Sequence, residues 1–536
     1  MRLPARNHRP LIMGRHGAVG ANHPMATQAG LDVLRAGGNA ADATVAISLA
    51  LGVVEPMMSG LGGDGFYHIH LAGTGAALVY NGCGWAPASA TPEAFARGMD
   101  IYGPRSVSVP GSLGGIAALH KAHGSKPWAG LATAAIGYAR DGFAATHNYS
   151  RYTMDNLAQL NADPDSSATF LRDGKAPALG TVVTQPALAR TLEEIAAGGA
   201  ETFYRGALAA RLARGMKRRG VPITDADLAD YQPEVQTPLA IHYRGFEVRQ
   251  TPPNSTGFTM LQMLRIAERF DLAALSPADR VHVLVEAKKR AFLDRERHGA
   301  DPRFNAVPVE QLLSDAIADA HAAKIDMRRA ADIRLVEPVA AGGDTTYFCV
   351  IDAEGNAVSA IQSINSAYGS GVTAGDTGVV LNNRMAYWHL AEGHANRLAP
   401  GKRVRHTMNA PMVFRDGALW GVLGTPGADH QVQVNLQALC AMLDLGADPQ
   451  TALEMPRWSS SQVGQGANWP HDGDGKLTIE RDFGDDVLAD LARRGHALAP
   501  VQHLEAPCSL QAIQVLPNGV RAAASDPRRD GWAGAF

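Results

Sequence analysis

Residues 342–365 read GGDTTYFCVIDAEGNAVSAIQSIN. Two threonines, Thr345 and Thr346, follow Gly-Gly-Asp directly and precede a run of β-branched and aromatic residues. The run 345–352 predicts a strand, and Ala353-Glu354-Gly355-Asn356 supplies turn chemistry. Residues 357–365 then form the return strand of a hairpin. A turn centred near Glu354 sets Thr345 opposite Ser363 or Ile364, with the small polar side chains of Ser363 and Asn365 in cross-strand reach. On pattern alone, this is a hairpin with a polar entry.

Chemistry offers a second reading. A threonine hydroxyl is a weak nucleophile without an adjacent base. A chain cut just before Thr345 would give that residue its own α-amine, with a pKa of about 7.7–8.0, to take the hydroxyl proton. Such a residue has to begin a strand that a rigid sheet holds, and a cleavable loop has to precede it. EPVAAGGD followed by TTYF meets both demands.

The rest of the chain sets the limits. Its 536 residues are 46% hydrophobic and 19% charged, a globular composition with ample core. A net charge of −3 gives no reason to expect nucleic acid as a partner. Four widely separated cysteines (Cys83, Cys349, Cys440, Cys508) form no CxxC pair, which argues against a zinc knuckle or redox motif and points to a reducing compartment. Charges and prolines break up MRLPARNHRPLIMGRHGAVG, and no run approaches the roughly 20 apolar residues of a membrane helix, so a cytoplasmic protein with no membrane partner is expected.

Helices are expected at 26–35, stopped by Gly37-Gly38, and at 40–54, apolar all round and therefore buried. GFYHIHLAG and AALVYNG read as strands. The middle, 87–300, is mostly helical, with a short extended pair around Arg244-Gly245. After Thr345 strands dominate, with helices again at 432–445 and 485–494. This order suggests two helical layers around paired sheets. The stretch GLGGDG at 60–65 satisfies GxGxxG, but a helix precedes it and a strand follows, the reverse of a dinucleotide fold. It reads as a turn that lets another segment approach closely. There is no HExxH, GxSxG or phosphate loop, and the 19 histidines lack ligand spacing, so neither metal nor cofactor is expected.

Taken together, HPMATQAGLDVLRAGGNAADA, GLGGDGF, VSVPGS, ARDGF, ITDADLADY, PPNSTG, DTTYFCVIDAEGNAVS, SGVTAGDTGVVLNNRM, GTPG and ASDPRRDG, in this order over nearly the full length, resemble the γ-glutamyltransferases (glutathione hydrolases) of the N-terminal nucleophile hydrolase superfamily. The resemblance implies an α+β fold, a four-layer αββα sandwich built from both processed subunits. It implies self-cleavage between Asp344 and Thr345 into a large subunit, 1–344, and a small subunit, 345–536. It also implies an acyl-enzyme on Thr345, formed from a small-molecule amide and passed to water or an amine.

Residue by residue, the resemblance makes Thr345 the nucleophile and Ser363 its supporting hydroxyl, where the family has threonine. Asn365 matches an asparagine beside the substrate's α-amino group. Gly427 and Ala428 match a two-glycine oxyanion loop, the second glycine replaced. The family's carboxylate-clamping arginine falls at Cys83, its paired serines at His406 and Thr407, and Arg384 and Tyr387 replace residues that help bind the α-amino group. Cysteine cannot form a bidentate ion pair, whereas a cation at Arg384 repels an ammonium and attracts a carboxylate. The residues alone also allow Arg384 to pair with a structural acid, Cys83 to be simple packing, and His406 to be a hydrogen-bonded wall. γ-Glutamyl amides such as glutathione are the first expectation. An oxamate-type or cephalosporin/glutaryl-type acid amide comes second, and an unprocessed binding scaffold third.

Overall fold

The computed structural model describes residues 7–335 and 344–536. The loop expected to precede the cut, 337–343, lies outside the described residues, as does the side chain of Asp344.

Two seven-stranded sheets face each other. One runs, in spatial order, Trp532–Ala535, Ala18–Ala21, Asp344–Ile351, Ala357–Asn365, Asp64–His70, Ala77–Gly82, Glu234–Gln236. The other runs Ile12–Gly14, Arg521–Ser525, Gln511–Val515, Ala418–Gly424, Met412–Arg415, Phe246–Gln250, Leu239–Tyr243. The hairpin quoted above is thus central in its sheet, flanked by Ala18–Ala21 and Asp64–His70.

Side-chain alternation along the central strand builds the layers. Tyr347, Cys349 and Ile351 pack between the sheets against Met412, Phe414, Val422 and Ile513. Phe348 and Val350 point the other way, into a core shared with the helices Pro24–Arg35 and Ala40–Val54. Burial on both faces explains why the run is continuously apolar. The outer face of the second sheet is covered by Gly257–Ala267, Pro277–His298 and Gln431–Leu443. The result is the expected αββα sandwich.

Within Ala40–Val54 every residue but Gly52 is buried, as its all-round apolarity requires. Arg244 and Gly245, at φ +52° and +81°, form the tight turn between Leu239–Tyr243 and Phe246–Gln250. The GLGGDG stretch is a close-approach turn: a Cβ on Gly62 would sit 2.1 Å from the Val380 carbonyl oxygen, and one on Gly63 2.3 Å from that of Ser363. The cysteines are all free and buried. Among the described residues no helix is long and apolar enough to cross a membrane. A small sheet of Trp458–Ser460, Leu477–Glu480 and Leu498–Val501 lies outside the sandwich and was not anticipated.

Candidate active site

The hairpin register explains how Thr345 meets Ser363. Asp344 pairs with Asn365 and Thr346 with Gln362, so the register slips by one residue at Thr345. This bulge places Thr345 across from Ser363 and Ile364. The Thr345 hydroxyl lies 3.3 Å from Ser363 Oγ, and Ser363 Oγ also accepts the Asn365 N–H at 2.8 Å. Thr345 is buried, so its hydroxyl geometry is fixed by the sheet rather than by solvent.

Asn365 ends the return strand at φ +81°, a conformation asparagine tolerates better than most side chains. Its Nδ2 donates to the Asn383 carbonyl at 3.1 Å and to Asn468 Oδ1 at 2.8 Å. Its Oδ1 is buried with no partner among the described residues. A buried acceptor in that state costs roughly 1–3 kcal/mol unless a ligand supplies a donor.

Arg384 follows the NN of NNRM and sits in a short helical turn, Arg384–Tyr387. Its guanidinium is 2% exposed. Nε pairs with Asp64 Oδ2 at 3.1 Å, and the charge lies over the Tyr387 ring at 4.6 Å. Nη2 is buried with no partner among the described residues. Asp64, the acid of GLGGDG, also accepts from Gly84 N at 2.8 Å and faces His406 Nε2 at 3.4 Å. Burial pushes the Asp64 carboxyl up, but the His406 hydrogen bond and the Arg384 charge outweigh it and hold the carboxyl below its usual range. His406 Nδ1 accepts from Met408 N at 3.2 Å, leaving Nε2–H to donate to Asp64. Burial, followed by the Arg384 charge, lowers His406 to about 4, so the ring is neutral at physiological pH.

Thr407 Oγ1 is 3.3 Å from the Tyr387 hydroxyl, on the same wall. Cys83 packs in the core between the sheets. Burial pushes its thiol well up, so it is a thiol and not a thiolate nucleophile. The Cys83 carbonyl is held by Arg403 Nε at 3.1 Å.

Gly427 and Ala428 form the turn after the strand Ala418–Gly424, in the sheet opposite Thr345. Gly427 adopts φ +122°, and a Cβ there would collide with Cys508 Sγ at 2.4 Å. Ala428 adopts φ +48°. The left-handed conformation that the glycine-to-alanine change puts in question is therefore present, at a cost of roughly 1–2 kcal/mol for a residue with a Cβ. Neither amide donates to a backbone carbonyl among the described residues.

Sequence reasoning did not single out Asp64, Asn383 or Asn468. Asp64 had a signal: an acid inside a glycine turn that starts a buried strand needs a partner. Asn383 stands beside Arg384 in NNRM, whereas Asn468 lies far along the chain in an irregular loop and gave none.

Facing antiparallel sheets between two helical layers, with a threonine heading a central strand, define the fold of the N-terminal nucleophile hydrolases. The family profile described as Gamma-glutamyltranspeptidase matches residues 26–536, and the chain belongs to that family. It is 38% identical to the glutathione hydrolase-like YwrD proenzyme of Bacillus subtilis, covering 97% of this chain and 99% of the relative. It is 37% identical to the oxamate amidohydrolase proenzyme of Klebsiella pneumoniae, covering 97% and 98%. The crystal structure of a cephalosporin acylase from Bacillus halodurans superimposes with a TM-score of 0.92 at 34% identity, covering 100% of this chain and 98% of that one. The chain is accordingly an enzyme of the hydrolase/acyltransferase type that characterises this family.

Proposed function

We propose that the chain is a self-processing amidase that uses Thr345 twice. In the first use, Thr345 Oγ attacks the Asp344 carbonyl carbon. The Asp344–Thr345 C–N bond breaks, an ester forms, and the hydroxyl proton moves to the nitrogen. Water hydrolyses the ester, giving the Asp344 carboxylate and a free α-amine on Thr345. The large subunit is then 1–344 and the small subunit 345–536. In turnover the α-amine takes the Thr345 hydroxyl proton as Oγ attacks the substrate amide, and the amine leaving group departs with a proton. Water, or an amine acceptor, cleaves the resulting ester. Ser363 orients the Thr345 hydroxyl, and the N–H groups of Gly427 and Ala428 receive the developing oxyanion. One covalent intermediate shared by two half-reactions makes the kinetics ping-pong. The observation that carries this reading is the Thr345 hydroxyl held 3.3 Å from Ser363 Oγ at the head of a central strand.

For the acyl group, the open Arg384 Nη2 favours a carboxylate. Asn365 Oδ1 offers an acceptor for a donor on the same group, as the α-amine of a γ-glutamyl amide such as glutathione would provide. A second reading is favoured by Cys83, Arg384 and Tyr387 together: an acid amide without an α-ammonium, of the oxamate or glutaryl type. Hydrolysis of γ-glutamyl-4-nitroanilide compared with glutaryl-4-nitroanilide and oxamate separates the two. Turnover of the γ-glutamyl compound at rates ordinary for the family removes the second reading. The free, buried cysteines support a reducing compartment such as the cytoplasm.

A further inference from the structure

The helix Pro277–His298 carries two adjacent charged residues, Arg295 and Glu296, that belong to one buried chain of ion pairs. Arg295 Nη1 pairs with Asp429 Oδ1, directly after Ala428. Arg295 Nη2 and Nε bind Glu296 Oε1 at 2.6 and 3.1 Å. Glu296 Oε2 accepts from Arg405 Nη1 at 2.7 Å, directly before His406 and Thr407. All four side chains are buried, Arg295 at 1% exposure. Phe292 supports the guanidinium from one turn back, its ring centroid 4.1 Å from Arg295 Cζ. Gly299 makes room for Arg405, since a Cβ there would lie 2.6 Å from Arg405 Cδ.

His389 and His394 lie near Glu296 at a spacing that suits a metal. Both Glu296 oxygens are already occupied by arginines, however, and the Arg405 charge helps keep His389 and His394 below their usual range, after burial. The carboxylate thus serves the arginines. Arginine is required at 295 because one planar fork has to reach two acids at once, which a lysine ammonium cannot do in this geometry. Asp429 uses a single oxygen in this link, and its Oδ2 has no partner among the described residues. Among the described residues the Asp429 side chain is therefore hydrogen-bonded to the scaffold through Arg295.

We propose that Arg295 is a positioning residue for acyl transfer: through Asp429 it fixes the Gly427-Ala428 turn, and through Glu296 and Arg405 it fixes that turn against the His406-Thr407 wall. The proposal rests on the oxyanion role given to the turn above. An oxyanion donor acts in the transition state and little in the ground state, so loosening it lowers kcat and leaves KM nearly unchanged.

The test uses purified wild-type enzyme and the variants Asp429→Asn and Arg295→Lys, which preserve size or charge. Arg295→Met would leave the buried Asp429 carboxylate without its ion-pair partner and is avoided. Kinetics are measured on whichever of γ-glutamyl-4-nitroanilide, glutaryl-4-nitroanilide and oxamate the parent turns over. Each variant is expected to lower kcat roughly ten- to a hundredfold with KM within about threefold. The double variant is expected to be no worse than the poorer single one, because both weaken the same Arg295–Asp429 link. Folded variants with parental kcat, or a loss confined to KM, overturn the proposal. If Arg295→Lys fails to fold, Asp429→Asn alone decides. A parent that is neither cut at residue 345 nor active on the three probes would instead defeat the reading of the site on which this rests.

Discussion

Replacing Arg384 by glutamine separates its ion pair with Asp64 from the substrate-binding role proposed for the same side chain. In stability, Arg384 is the main countercharge of Asp64, which is 1% exposed. Removing one partner of a buried pair costs about 3–5 kcal/mol. The Gly84 N–H at 2.8 Å and the His406 donor at 3.4 Å remain and place the expected loss at the lower end. Asp64→Asn in the same chain removes the stranded charge, so the double variant is expected to recover most of the thermal midpoint. In activity, the open Nη2 is proposed to hold the substrate carboxylate. Loss of a desolvated charge-assisted contact costs about 2–5 kcal/mol, or about 30- to 4000-fold in kcat/KM. That loss is expected to persist in the double variant. The assay pairs thermal unfolding with kcat/KM on an acid amide that the parent hydrolyses. A double variant that regains both its midpoint and a kcat/KM within threefold of the parent would refute the substrate role and leave Arg384 as a structural partner of Asp64.

Three other outcomes are expected. Ser363→Ala removes the hydroxyl beside Thr345 and the acceptor of the Asn365 N–H, so cleavage and turnover should slow about tenfold or more, with Ser363→Thr close to the parent; gel analysis of the two fragments over time checks this. Ala428→Gly relieves left-handed strain and should raise the thermal midpoint slightly or leave it unchanged, while Ala428→Val should lower it, since a β-branched residue fits φ +48° poorly. Burial lowers His23, His68 and His406 from 6.5 to about 4. Between those values the unfolded chain binds more protons than the folded one. Stability should thus be complete above pH 6.5 and fall by several kcal/mol as the pH drops toward 4, with Glu296, held near 2, still ionised. A thermal midpoint unchanged from pH 7.5 to 5 would contradict this.

The hairpin was legible because one short stretch held a strand, a turn and a return strand whose lengths fixed the register. That register placed Thr345 against Ser363, and the observed bulge changed the pairing by only one residue. Helix 40–54 was legible because an all-round apolar segment has to be buried. The Arg384–Asp64 pair was half legible. The cation stood out at its position, but its partner lies 320 residues earlier, inside a turn whose glycines drew attention away from the acid. The conformation of Ala428 could be posed only as a question, because torsion at a single alanine depends on what packs around the turn. The chain of Asp429, Arg295, Glu296 and Arg405 was not legible: its members come from three separate segments, and nothing local distinguishes a buried arginine from a solvated one at the end of a charged helix.

The most direct test of the central claim is intact mass with N-terminal sequencing of the purified protein and of its Thr345→Ala variant. Two fragments are expected for the parent, the smaller beginning Thr-Thr-Tyr-Phe, and a single inactive chain for the variant. A parent that stays uncut through days of incubation, or a variant that still splits at residue 345, would contradict it.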